Sequence, residues 1–230
     1  MNKPLYFLGI YTATETFSVS LCLDHQLIAD RSVTISRDHS ENFHKDVLAT
    51  CQEGLSDLSL LAGIGVAIGP GGYTGLRIGT TIAKTIGYHL NCPVYSISTL
   101  EAIVYSFRSF EGLYLPTLPA KKGELNSALI GIHQKQINRL TADFSWPEAS
   151  FIQKISKMEQ PLYIPGILPN PIIDHVKEPV RWLGLPRVAE SVALLAFAKA
   201  QTESPPALST VKPVYSHFPT LGTIKKSPRL

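Results

Sequence analysis

Gly69-Pro70-Gly71-Gly72-Tyr73-Thr74-Gly75-Leu76-Arg77-Ile78-Gly79 lies between an apolar run, Ile64 to Ile68, and a helically spaced pattern reaching about Leu90. The apolar run reads as a buried strand, so the segment is a strand, a glycine-rich turn and a helix N-terminus. That layout can present backbone N–H groups to a phosphate. Its spacing fits neither common phosphate fingerprint. A Walker loop requires Gly-Lys-Ser/Thr five residues after its first glycine. Five after Gly69, Gly71 and Gly72 come Thr74, Leu76 and Arg77. A dinucleotide fingerprint starting at Gly69 requires glycine at position 74, which is threonine.

Upstream, Leu5–Tyr11, Thr16–Leu23 and Gln26–Ile35 read as three strands joined by short turns such as Asp24-His25, a meander suited to an antiparallel sheet edge. A helix is predicted from about His39 to Leu55, with Phe43, Val47, Leu48, Cys51 and Leu55 on one face. Asp38 can cap it, supported by Glu41. With the strand at 64–68, the helix at 75–90 and a strand at Val94–Ile97, the order is β-β-β-α-β-α-β. Ser98-Thr99-Leu100-Glu101 is a capping box that opens another helix, to about Phe107.

Around Arg108–Gly112 the pattern resets, which predicts two domains, 1–107 and 108–230. Strands are predicted at Leu113–Leu118, Leu125–Ile132 and Gln136–Leu140, a helix at Ser150–Met158, a strand at Pro161–Ile164 and an alanine-rich helix at Val188–Thr202. Both halves begin with strands, though no sequence repeat is visible. Proline is dense over 161–186 and again after 204, predicting loops and a loosely held end.

The chain has 230 residues and a formal charge of +3, too weak a balance to argue for bulk nucleic-acid binding. Cys22, Cys51 and Cys92 are odd in number and widely spaced, which points to reduced thiols in a cytoplasmic protein rather than a disulfide framework or zinc site. Leu5 to Ile10 is too short for a signal-peptide core. Ser59 to Leu76 is uncharged, but Pro70 and its glycines interrupt it, so no membrane segment is expected.

Gly75, Gly79, Ala83 and Gly87 recur every four residues and form a small-residue stripe. Helix glycines cost about 0.5–1 kcal/mol each relative to alanine, so close approach of another backbone must offset them. That backbone can belong to the chain's own sheet or to a partner helix, and spacing does not choose.

Ile10-Tyr11-Thr12-Ala13-Thr14-Glu15, Ser18-Val19-Ser20-Leu21, His39-Ser40-Glu41, Gly69-Pro70-Gly71 with Thr74-Gly75-Leu76-Arg77-Ile78-Gly79, and Ser98-Thr99-Leu100 resemble successive signatures of the TsaB (YeaZ) family. Beyond residue 105 the echoes are Lys122-Gly123-Glu124 and Pro213-Val214-Tyr215. The resemblance implies an α/β fold of two actin-like (RNase H-like, ASKHA-type) subdomains with mixed sheets flanked by helices. It implies a cytoplasmic, non-catalytic role in forming N6-threonylcarbamoyladenosine in tRNA, without a cofactor of its own. Its implied partners are a TsaD-like catalytic subunit, a TsaE-like ATPase and a second copy of the chain, with tRNA contacted weakly or indirectly. The family pairs through two N-terminal helices, here 39–55 and 75–90. His39, Glu41, Phe43, Gly75, Arg77, Gly79 and Ala83 are the interface residues this implies.

The departures from that family concern carboxylates. Its usual aspartate at the end of the first strand is Tyr11, and its Asp-Ala-Arg reads Pro119-Ala120-Lys121. Its Glu-Pro-x-Tyr-Leu-Arg becomes Lys212-Pro213-Val214-Tyr215-Ser216-His217. Mg²⁺ favours oxygen ligands, so neither matched strand end offers an anchor. An actin-like ATPase or small-molecule kinase acting alone is the alternative, using the glycine loop and the cleft.

His39 and His44 are five apart, which places them about 140° apart around a helix and off a shared face. No metal pair is expected there, so a glycoprotease-like metallopeptidase is the weakest reading. Arg77, in a first helical turn, suits either a partner carboxylate or a pairing within the chain. Lys225, Lys226 and Arg229 form a basic tail, read chiefly as solubilising.

Overall fold

The structure is a computed structural model that describes residues 4–34, 42–121 and 123–216. Three antiparallel strands open the chain: β1 (Tyr6–Tyr11), β2 (Thr16–Leu23) and β3 (Gln26–Thr34). Helix α1 (Phe43–Gly54) follows, then a 3₁₀ turn at Leu58–Leu60, β4 (Leu61–Gly69), α2 (Tyr73–His89), β5 (Val94–Ser98) and α3 (Thr99–Tyr105). The five strands form one sheet in the order β3-β2-β1-β4-β5, with β4 and β5 parallel to β1. Both faces of β1 are covered, which is why Tyr6–Tyr11 is apolar without alternation. At the head of α3, Ser98 Oγ accepts from the Glu101 N–H at 3.4 Å, so Ser98 caps the helix, while the Glu101 carboxylate turns to Arg139.

The second half comprises β6 (Gly112–Tyr114), β7 (Thr117–Pro119), β8 (Glu124–Ser127), β9 (Ile130–His133), β10 (Gln136–Arg139) and β11 (Phe144–Pro147). Then come α4 (Glu148–Ile155), β12 (Leu162–Pro165), α5 (Asn170–Ile173), β13 (Val180–Gly184) and α6 (Val188–Thr202). Its main sheet runs β10-β9-β6-β12-β13, antiparallel on one side of β6 and parallel on the other. That is the topology of the first sheet again, so the shared strand-first order reflects two copies of one α/β architecture. The short sheet β11-β8-β7 is an addition to the second copy. This is the actin-like arrangement.

Helix α6 closes the molecule by returning to the first sheet, opposite α1 and α2. It comes so close that a Cβ at Gly9 would overlap the Ala189 carbonyl, and one at Gly65 would crowd that of Val192. Arg139 ties the halves together at the head of α3. Its guanidinium donates to Glu101 Oε1 at 2.7 Å and to Ser98 Oγ at 2.9 Å.

Several sequence expectations need correction. Leu113–Leu118 and Leu125–Ile132, each read as one strand, are split into β6 and β7 and into β8 and β9, the members of each pair lying in different sheets. Beyond the strand expected at Pro161–Ile164, which is β12, the proline-dense stretch 161–186 also carries α5 and β13, so it is not simply loop. The segment after 204 is also held as far as it is described. Val211 is buried, and Val214 N–H donates to the Ile68 carbonyl at 2.7 Å. The tail from 217, with Lys225, Lys226 and Arg229, lies outside the described residues, as do Asp38 and the start of the helix expected from His39. Among the described residues no helix is long and apolar enough to cross a membrane.

Candidate functional site

A cavity of about 780 Å³ opens between the two subdomains. One wall is the turn after β1, Thr12 to Thr16, with Gly72, Thr74, Gly75 and Ile78 at the head of α2. Leu118, Pro119, Ala120, Ile167 and Leu185 form the other. Glu15 is the one carboxylate among the described residues that line it. Tyr11 ends β1 at 1% exposure, and burial pushes its hydroxyl above the ordinary phenol range. Pro119 ends β7. The two strand ends where the resemblance looks for acidic groups therefore carry a buried phenol and a proline. Among the described residues, no group of three His, Cys, Asp or Glu side chains could hold a metal ion.

The glycine-striped flank of α2 faces inward. A Cβ at Gly75 would overlap the Thr12 carbonyl, one at Gly79 would overlap Thr12 Oγ1, and one at Gly87 would overlap Val94. Ala83 is fully buried in the same row. Of the two readings the spacing left open, packing on the chain's own sheet accounts for this flank. At its head the helix lies so close to the turn after β1 that a Cβ at Gly75 would meet backbone.

The opposite face of α2 is exposed at Thr74, Arg77, Thr81, Thr85 and Tyr88, flanked by half-buried Ile78 and Ile82. An ordinary solvent-facing helix surface is rich in charge, whereas these five positions carry one charged residue, Arg77. Tyr88 is 82% exposed, and on α1 Leu48 is 41% exposed. Of this face the sequence singles out Arg77 alone, although its threonines recur at helical spacing.

Arg77 pairs within the chain. Its guanidinium lies 3.9 Å from the Tyr73 ring centroid, and Nε donates to Tyr215 Oη at 3.0 Å. The Tyr73 and Tyr215 rings are 4.7 Å apart. Thus the glycine-loop motif and the Pro213-Val214-Tyr215 echo, remote in sequence, meet at the head of α2. Phe43 points into the core, edge-on to Phe17 at 5.2 Å between centroids. His39 and Glu41 lie outside the described residues. Arg77 is therefore exposed at the surface, while Phe43, Gly75, Gly79 and Ala83 support the same two helices from beneath.

The family model described as "TsaD: tRNA N6-adenosine threonylcarbamoyltransferase" matches residues 33–165. The tRNA threonylcarbamoyladenosine biosynthesis protein TsaB of Bacillus subtilis is 29% identical over 162 residues, 69% of each chain. The Escherichia coli protein of the same name is 32% identical over 123 residues, spanning 51% of this chain and 52% of that relative. The solved structure of YeaZ from Pseudomonas aeruginosa superposes with a TM-score of 0.74 at 19% identity, covering 92% of this chain and 99% of the other.

Proposed function

Since the chain belongs to the TsaB (YeaZ) family, we propose that it serves the biosynthesis of threonylcarbamoyladenosine in tRNA as a non-catalytic subunit that docks on a TsaD-like catalytic partner. The observation that carries the docking reading is the charge-poor outer face of α2, from Thr74 to Tyr88. Depletion of charge apart from an arginine, beside an exposed tyrosine, is the surface composition of a protein–protein contact core. Threonine side chains also lose little conformational freedom on being covered. The inward stripe supports the face from behind, because a helix packed this closely on its own chain has little room to shift.

Docking of this kind activates a partner by binding its competent state more tightly than its resting state. The chain then needs no carboxylate in its own cleft, which agrees with Tyr11 and Pro119 at the strand ends. A TsaE-like ATPase as third component and self-pairing through the same face belong to the same reading. Mass spectrometry of tRNA nucleosides from cells depleted of this protein tests it. Loss of the modified adenosine is expected, and unchanged levels would remove the proposal. Calorimetry with ATP and Mg²⁺ tests the alternative of a lone ATPase, for which tight binding to the isolated chain would be required.

A further inference from the structure

At the far end of the second subdomain, β11 and α4 enclose an open-sided cavity of about 390 Å³, lined by Trp146, Pro147, Ser150, Gln153, Lys154 and Lys157. Its size falls within the range of about 300–1,000 Å³ usual for small-ligand pockets. Trp146 forms its aromatic wall and is held from behind. Its ring centroid is 5.2 Å from that of Phe144 and 6.0 Å from that of fully buried Phe151. The indole is thus half-buried, braced by two rings, and lines the cavity. The lining residues include no acidic group. Neither Lys154 nor Lys157 makes a salt bridge among the described residues, although Lys199 and Lys121 do.

We infer that this cavity binds an unpaired nucleotide of a single-stranded RNA segment, with the base stacked on Trp146 and the flanking phosphates held by Lys154 and Lys157. A fixed aromatic plane beside uncompensated cations is the chemistry by which proteins hold single strands. The Ser150 hydroxyl and the Gln153 amide stand within the same lining and offer donors and acceptors to a base edge. An acidic peptide would satisfy the two ammonium groups but leave the indole plane without a flat counterpart. The inference goes beyond the docking reading. It assigns the chain a direct RNA contact on a surface built from β11 and α4 rather than from α2, and it can fail while docking stands.

The experiment is fluorescence anisotropy of the full chain with a 5′-fluorescein-labelled single-stranded RNA of about 12 nucleotides. Lys154→Glu/Lys157→Glu changes two exposed side chains at the C-terminal end of α4, so a small drop in melting temperature is expected and the variant is assayed well below it. Affinity is expected to fall about tenfold or more in that variant and in Trp146→Leu. Replacing both lysines by alanine should flatten the plot of log K against log salt by about 1.4, the slope for two phosphate contacts on a single strand. Unaltered binding by the charge-reversed variant would overturn the proposal. So would equal affinity for a duplex of the same sequence, or displacement of the RNA by polyglutamate at matched charge.

Discussion

Arg77 Nε donates to Tyr215 Oη at 3.0 Å across 138 residues of sequence, where the end of the described chain meets the head of α2. Tyr215 also packs on Tyr73, so the last described segment runs as a strap beside the glycine loop. Val214 N–H bonds to the Ile68 carbonyl at 2.7 Å, and Val211 is buried under α2. Tyr215→Ala removes the ring contact and should lower unfolding stability by about 0.5–1.5 kcal/mol. Tyr215→Phe keeps the rings and should stay close to the parent. Urea denaturation followed by circular dichroism separates the two. Equal losses would mean that the hydroxyl, not the ring, holds the strap.

Gly79→Ala is expected to destabilise the fold by about 1–3 kcal/mol, although alanine is the better helix former. The new methyl group would overlap Thr12 Oγ1, which is buried without a hydrogen-bond partner among the described residues. Thr12→Ala removes that oxygen, so the double variant should recover much of the loss. The coupling is read from a double-mutant cycle of urea midpoints. Purely additive effects would show that the two residues do not press on each other.

Much of this was legible in the residues themselves. The strands of the first sheet, the helix after the glycine loop and the Ser98 cap follow from apolar runs, turn residues and a capping box, all signals within one window of sequence. The direction in which the Gly75–Gly87 stripe faces was not. Periodicity places four small residues in a row but does not say whether Thr12 or another protein lies opposite. Elements β11, α5 and β13 went unseen because they are short, and two of them lie in proline-rich surroundings. Their order comes from neighbouring strands rather than local preference. Arg77 and Tyr215 could each be singled out by the resemblance, yet their contact depends on the path the segment after α6 takes back to α2.

Stability should fall on the alkaline side as a result of the buried thiols. Burial, reinforced by the Glu190 carboxylate and opposed by Arg108, pushes the Cys22 thiol up to about 12. Burial alone moves Cys51 and Cys92 up to about 11. In the unfolded chain these thiols ionise near their ordinary value of 9.0, while in the fold they keep their protons. The folded state then binds more protons than the unfolded state, so stability drops as pH rises above about 9 and continues to drop towards 11. Urea midpoints at pH values of about 8 and 10.5 should differ, and Cys51→Ala should narrow the gap. A gap of the same size in that variant would exclude this thiol as a contributor.

The docking claim is met most directly by size-exclusion chromatography of this chain with its TsaD-like partner, using Thr81→Glu/Thr85→Glu. Both threonines are exposed on the outer face of α2, so the variant should melt with the parent. Two carboxylates buried without partners cost far more at a contact than on a free surface. The expected result is a parent chain that co-elutes with the partner and a folded variant that elutes alone. Full co-elution of the folded variant would place the contact elsewhere and contradict the account.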